Sequence, residues 1–280
     1  MRFLFSTGSL WSYSIERCVA FAAQTGFDGI ELVVDQRWDT RQPDFVRRLI
    51  ERYGQPVVAI HSPFFVVPGW PVDEPGRIRK AVELAERLGA AVLVHHLPLR
   101  LDYVWVRAGL RFFPLPIPLR RVSSHYRRWL ERDYPRLQAN TAVTLCIENM
   151  PARPVLGRRL NLYHWNTPTE ILRFPALTLD TTHLGTWDLE PVEVYPHLNG
   201  QVRHVHLSNF DGREHRRPES GHLRLDALLA RMAADGYQGA ITLELHPDAL
   251  DAGSPDAQVV ERLGTSLAHC RRWAGQPTER

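Results

Sequence analysis

The sequence predicts an α/β fold: a (β/α)8 barrel, or TIM barrel, built as a single domain over residues 1–280. Three observations carry this. Strand-like runs alternate with helix-like runs from end to end. The alternation yields eight units in 280 residues, close to the ~250 residues usual for such a barrel. The strand-like runs are short and rich in Val, Ile and Leu, as strands covered on both faces are. A doubly wound open sheet fits less well, because no G-x-G-x-x-G follows the first strand.

In chain order, "RFLF" (2–5) precedes an amphipathic run at 12–25, and "GIELVV" (29–34) precedes 43–53. "PVVAIH" (56–61) precedes 75–88, and "AAVLVHH" (90–96) precedes 120–138. "AVTLCIE" (142–148) is followed, after a loop, by 167–173, and "ALTLD" (176–180) by 189–198. "VRHVHL" (202–207) precedes 223–235, and "AITLEL" (240–245) precedes 256–273. One segment breaks the rhythm. Residues 101–119, between strand four and its helix, form an apolar, aromatic insertion rich in proline. Loops of this length in compact domains are usually functional or disordered, and this composition is too apolar for disorder. It reads as a lid or hydrophobic substrate wall, or as a contact between copies of the chain.

Composition sets further bounds. Hydrophobic residues make up 44% and charged residues 23%, with a formal net charge of +3, too small to argue for nucleic acid by itself. Lys80 is the sole lysine, and it sits in a helical pattern among acids, which argues against Schiff-base chemistry. Cys18, Cys146 and Cys270 form no C-x-x-C or zinc-finger spacing and read as free thiols in a reducing compartment. The opening 23 residues faintly resemble a signal peptide, but Ser, Thr, Gly, Glu16 and Arg17 interrupt them. They read instead as a first strand and helix. No run is long enough to span a membrane, and a cytoplasmic location is the default expectation.

In a barrel of this kind, active sites gather at the C-terminal ends of the strands. There the sequence places His61, His95 and His96, Glu148, Asp180 with His183 beyond, His206 with Asp211 and His215 beyond, and Glu244 with His246 beyond. A single His or Glu at such a position is most often a satisfied rim residue. Six consecutive strands ending this way is a different matter, because a buried carboxylate costs several kcal/mol unless paired or metal-bound. Glu148, Asp180, His206 and Glu244 bring three carboxylates and one imidazole to one mouth. Such a set repels itself unless a divalent cation neutralises it. Its oxygen-rich donors suit Mn²⁺, Mg²⁺ or Co²⁺, and adding His61 and His96 shifts the preference toward Zn²⁺. His95 and His96 are adjacent, so only one can face the mouth.

These motifs, in this order, resemble the xylose-isomerase-like TIM-barrel superfamily, which includes endonuclease IV and many sugar or sugar-phosphate isomerases and epimerases. The resemblance runs from "GFDGIEL" (26–32) to "GYQGAITLEL" (236–245). It rests on "HSPF" at 61, "ELAERLGAAVLVHH" at 83–96, "CIEN" at 146–149, "LDTTH" at 179–183, "HVHLSN" at 204–209, "EHRRPESG" at 214–221 and the final "LELH". It implies that Glu148, Asp180, His206 and Glu244 are a shared metal quartet. His61 and His96 correspond to the additional ligands of endonuclease-like members, His96 being chosen because it lies seven residues after Gly89. His183 and His215 correspond to part of a further zinc site. The family's aspartate two residues before that second histidine is here Arg213, so that site needs Asp211 as a substitute.

The resulting expectation is a divalent-metal-dependent isomerase or epimerase of a small sugar, sugar phosphate or polyol. Glu148 and Glu244 move the proton, and His183, Arg213 and Phe64 contact the substrate. The alternatives are an endonuclease IV-like zinc hydrolase, with "DQRW" (35–38) and Phe64 near the mouth, or a barrel that binds metal or a partner without turnover. Nucleic acid is disfavoured, because the apolar insertion is a poor surface for a polyanion. The insertion is also compatible with a homo-oligomer.

Overall fold

A computed structural model describes residues 1–100, 102–108, 111–117, 124–155, 157–198 and 200–275. Eight parallel strands close into a barrel: β1 (Arg2–Ser6), β2 (Ile30–Val33), β3 (Val57–His61), β4 (Val92–His96), β5 (Thr144–Glu148), β6 (Leu177–Asp180), β7 (Val202–Leu207) and β8 (Ala240–Leu243). Each pairs with its neighbours in sequence, and β8 returns to β1, with Arg2 beside Ala240 and Phe5 beside Leu243. Around it lie α1 (Ile15–Thr25), α2 (Pro43–Tyr53), α3 (Glu74–Leu88), α4 (Ser124–Arg132), α5 (Tyr134–Ala139), α6 (Thr181–Thr186), α7 (Pro191–Leu198), α8 (Leu225–Ala234) and α9 (Asp256–Trp273).

Strand alternation divides the side chains into two sets. Leu145, Ile147, Leu177, Leu179, Val205 and Leu207 belong to the large apolar cluster between barrel and helices. Leu4, Val92, Val94, Cys146 and Ala240 form a separate small cluster. Toward the C-terminal ends of the strands, Glu31, Glu148, Thr178, Asp180, His204, His206 and Thr242 are all buried, so polar groups replace apolar ones there. Register keeps them level: His96 pairs with Glu148, and Asp180 with His206.

Local chemistry sets the element ends. Ser14 caps α1 by accepting the Arg17 N–H, and Asp73 caps α3 by accepting the Gly76 N–H. Gly89 ends α3 at φ 72°, a left-handed conformation that costs glycine little, and turns the chain into β4.

Three expectations change. The run at 167–173 is no α-helix; only a 3-10 turn over Ile171–Arg173 forms there. Pro175 follows immediately and holds Phe174 extended at ψ 135°. The helix expected at 120–138 is two helices, α4 and α5, divided at Asp133, because Pro135 cannot donate to a continuing ladder. The insertion is not an irregular loop: Asp102–Ala108 and Arg111–Ile117 pair as an antiparallel hairpin, while its residues 101, 109, 110, 118 and 119 lie outside the described residues. Each strand of a two-stranded ribbon has a free edge, which accommodates Pro114 and Pro116. No described helix is long and apolar enough to cross a membrane.

Candidate metal centre

The centre is built around Glu148, the last residue of β5, which is buried. Its Oε1 lies 3.1 Å from His206 Nδ1 and 3.4 Å from His183 Nδ1. Its Oε2 lies 3.3 Å from His61 Nε2 and 3.2 Å from His96 Nε2. Glu244, one residue past β8, brings Oε2 to 2.9 Å from the same His206 Nδ1.

The neighbouring Asn149 ties β5 to β6. Its side chain accepts the Asp180 N–H at 2.8 Å and donates to the Asp180 carbonyl at 3.0 Å. Its carbonyl accepts from His183 Nδ1 at 2.8 Å. Asp180 has two tasks. Oδ1 caps α6 by accepting the His183 N–H at 2.8 Å, whereas Oδ2 is buried with no hydrogen-bond partner. Turn chemistry and site chemistry thus use different oxygens of one carboxylate.

Ligand atoms within 4.8 Å of one another define three groups at this mouth: Glu148, Asp180, His206 and Glu244; His61, His96 and Glu148; and Asp180, His183 and His215. A fourth, Glu31 with His204 and His206, lies fully buried in the barrel interior.

Proton bookkeeping tests whether a cation fits. His61 Nδ1 is 2.8 Å from the Ser62 carbonyl, which requires N–H there, so Nε2 faces Glu148. His206 Nε2 is 3.0 Å from Glu31 Oε2, so Nδ1 faces Glu148 and Glu244. His183 Nδ1 donates to Asn149, and His215 Nδ1 lies 3.2 Å from the Glu244 carbonyl, which leaves the Nε2 of each ring unengaged by these bonds. Imidazoles anchored through one nitrogen, with the other aimed at carboxylates, are the arrangement that metal-binding histidines use.

The alternative to a cation is extra protons. Burial opposes charge on His206, but Glu31, Glu244 and Glu148 outweigh it and hold its pKa well above the ordinary value. Burial, with the charges of Glu148 and Glu244, pushes Asp180 well above the ordinary carboxylate range. A divalent cation would take the place of those protons, with Asp180 Oδ2, which has no hydrogen-bond partner, among its ligands. The donor set therefore fits one.

The sequence-predicted residues fall as follows. His61, His96, Glu148, His183, His215 and Glu244 line one cavity of about 350 Å³, with Asp180 and His206 fully buried beside Glu148. Phe64 stacks on His96 at 5.2 Å between ring centroids and meets His61 edge-on. His95 also lines this cavity but belongs to none of the ligand groups: Tyr126 donates its hydroxyl proton to the His96 carbonyl, so His95 Nδ1 donates to the Tyr126 oxygen at 3.0 Å. Burial and the adjacent His96 lower its pKa to about 3, which keeps it neutral. Arg213 is not brought to the cavity. Its side chain is 69% exposed and pairs with Asp211 at 3.5 Å. Asp211 also pairs with Arg216, and neither Asp211 nor Arg213 belongs to the Asp180–His183–His215 group.

Two residues escaped the sequence reading, Arg153 and Glu31. Arg153, in the hairpin Arg153–Val155/Arg158–Leu160 after β5, pairs with Glu214 at 2.7 Å, and both line the cavity. Glu31, in mid-β2, anchors His204 at 2.7 Å and His206 at 3.0 Å. A glutamate inside an otherwise apolar strand was the available signal for Glu31. No spacing marks Arg153.

A family model described as the xylose isomerase-like TIM barrel matches residues 19–269. The chain belongs to that family. An uncharacterized protein of Mycobacterium leprae is 25% identical over 249 residues, covering 86% of this chain and 87% of that one. An uncharacterized protein of Mycobacterium tuberculosis is 24% identical over 277 residues, covering 95% and 97%. Among solved structures, a 3-keto-D-glucoside 4-epimerase of E. coli superposes with TM-score 0.66 at 19% identity, covering 97% of this chain and 99% of that one. A D-tagatose 3-epimerase-like protein gives 0.60 at 20%, covering 95% and 100%. An AP endonuclease family 2 protein of Brucella melitensis gives 0.61 at 17%, covering 88% and 93%. At these identities the likeness speaks for the fold alone. Sugar epimerases and AP endonuclease family 2 proteins are thus both structural neighbours of this family member.

Proposed function

We propose that the protein is a divalent-metal-dependent isomerase or epimerase acting on a small sugar, sugar phosphate or related polyol. One observation carries this reading: Glu148 and Glu244 approach the same His206 nitrogen, at 3.1 and 2.9 Å, and both open onto one cavity of about 350 Å³, a size suited to a small ligand. Glu148, Asp180, His206 and Glu244 hold the cation. When bound, Mn²⁺, Mg²⁺, Co²⁺ or Zn²⁺ supplies Lewis acidity toward a carbonyl and an adjacent hydroxyl.

The chain's own groups do the rest. One of the two glutamates takes the proton from the carbon next to the carbonyl. A proton returns from the other, to the opposite face of the same carbon in an epimerase, or to the neighbouring carbon in an isomerase, where the hydroxyl proton also passes to the former carbonyl oxygen as the carbonyl moves. His183 steadies a substrate oxygen through Nε2. Arg153, rather than Arg213, lines the cavity with its guanidinium, as Arg77 also does. Sugar epimerases among the structural neighbours support the reading. Incubation of the metal-loaded chain with ketoses in D₂O is expected to place deuterium next to the carbonyl, and Glu148→Gln and Glu244→Gln to abolish it.

A second reading has its own observation. His61 and His96 share Glu148 with the quartet, which suits two cations and hydrolysis of a phosphodiester. Cleavage of an abasic-site duplex without solvent exchange into any ketose would favour it.

A further inference from the structure

We propose that the substrate carries an apolar, ring-sized group that lies in a second cavity beside the metal centre. This rests on the reading above, in which a polyol oxygen is held at the centre. The second cavity has a volume of about 480 Å³ and shares Phe64, His215 and Glu244 with the first. The two spaces are therefore contiguous at one of the proposed acid–base groups.

Its walls come from the end of β2 and the loops after β1, β2, β3 and β8, and include Trp11, Val33, Phe65 and Leu245. Trp11, Phe64 and Phe65 are 52%, 54% and 38% exposed, although they are large aromatics. Aromatic surface gathered at a cavity, rather than scattered, marks a binding wall. The ring of Phe64 stands at the junction, stacked on His96 and edge-on to Phe65 at 4.4 Å.

Away from the junction with Glu244 and His215, several polar groups of this cavity are already engaged. Arg37 holds both oxygens of Asp35, Oδ1 at 3.0 Å and Oδ2 at 2.6 Å, and donates to the Tyr13 and Thr7 carbonyls. The Gln36 amide nitrogen donates to the Val66 carbonyl at 2.8 Å, and His246 Nδ1 accepts the Asp248 N–H at 3.2 Å. A hydroxylated ligand there would lose hydration without finding these groups free, whereas an apolar ring gains by leaving water. The metal cavity has the opposite character, with His and Glu atoms converging on its centre. One ligand with a polyol end and an apolar ring matches both.

Calorimetry on the full chain with Mn²⁺ tests this with three probes: methyl β-D-glucoside, 2-naphthyl β-D-glucoside and 2-naphthol. The naphthyl glucoside is expected to bind about tenfold or more tighter than the methyl glucoside, with the advantage falling below about threefold in Trp11→Ala and Phe65→Ala. A wild-type advantage under about twofold, or no binding of either naphthyl probe, overturns the proposal and leaves the polyol reading standing if the methyl glucoside binds. Binding of 2-naphthol that depends on Trp11, with neither glucoside bound better, supports the apolar cavity and counts against the polyol reading instead.

Discussion

Two levels of the same barrel set carboxylates against imidazoles, and they resolve the conflict differently. In the interior, Glu31 Oε2 accepts from His204 at 2.7 Å and from His206 at 3.0 Å, with Thr242 nearby at 3.4 Å. Burial alone would raise the Glu31 pKa, but the two histidines outweigh it and keep the group ionised. That level is closed to solvent, although Glu31 Oε1 and His204 Nδ1 have no hydrogen-bond partner there. At the mouth, Glu148, Asp180 and Glu244 gather around a single His206 nitrogen, Asp180 Oδ2 likewise has no hydrogen-bond partner, and the groups open onto a cavity. Residue type does not distinguish the two levels. The number of donors available per carboxylate does.

The largest effect expected of breaking this contrast is at Glu148. Glu148→Gln removes the carboxylate that joins the quartet to His61 and His96, and turnover is expected to fall by at least ~10²–10⁴-fold, the usual share of a positioned acid–base group. Thermal melting should still be cooperative. Undiminished turnover would remove Glu148 from the centre.

Next is the support beneath. Glu31→Gln keeps the shape of the interior level but removes the charge that orients His206. Outer-shell partners of this kind are worth about 10–100-fold in metal affinity, so calorimetry should record a loss in that range. Unchanged affinity would make Glu31 a packing residue only.

The smallest effect sharpens the comparison within a single dipeptide. His95→Phe breaks the bond to Tyr126 and should cost about 1–3 kcal/mol of stability, read by denaturant unfolding, with metal stoichiometry intact. His96→Ala should do the reverse, weakening metal uptake with little change in stability. Equal outcomes for the two variants would mean that the register assigned to β4 is wrong.

Much of this was legible in the residues, for reasons that particular elements make plain. Glu148 and Asp180 stand out because each ends an apolar run, where a charge needs a cause. The adjacent histidines in "VHH" were visible, and spacing from Gly89 pointed by resemblance to His96, the one that the register sets beside Glu148. Glu31 stayed hidden because attention to strand ends overlooks a carboxylate one layer down. Arg153 arrives through a hairpin that replaces the expected helix after β5, and no periodicity announces such a replacement. Arg213 occupies the family's aspartate position in sequence, yet the loop turns it outward to Asp211.

The contrast between a closed interior level and an open mouth reduces to one measurement: titration of the chelator-stripped full chain with Mn²⁺ and Zn²⁺, beside Asp180→Asn. Saturable uptake of at least one ion per chain, greatly weakened in Asp180→Asn, is the expected result. No uptake by the wild-type chain at millimolar metal, or uptake identical in the two proteins, would contradict the metal centre.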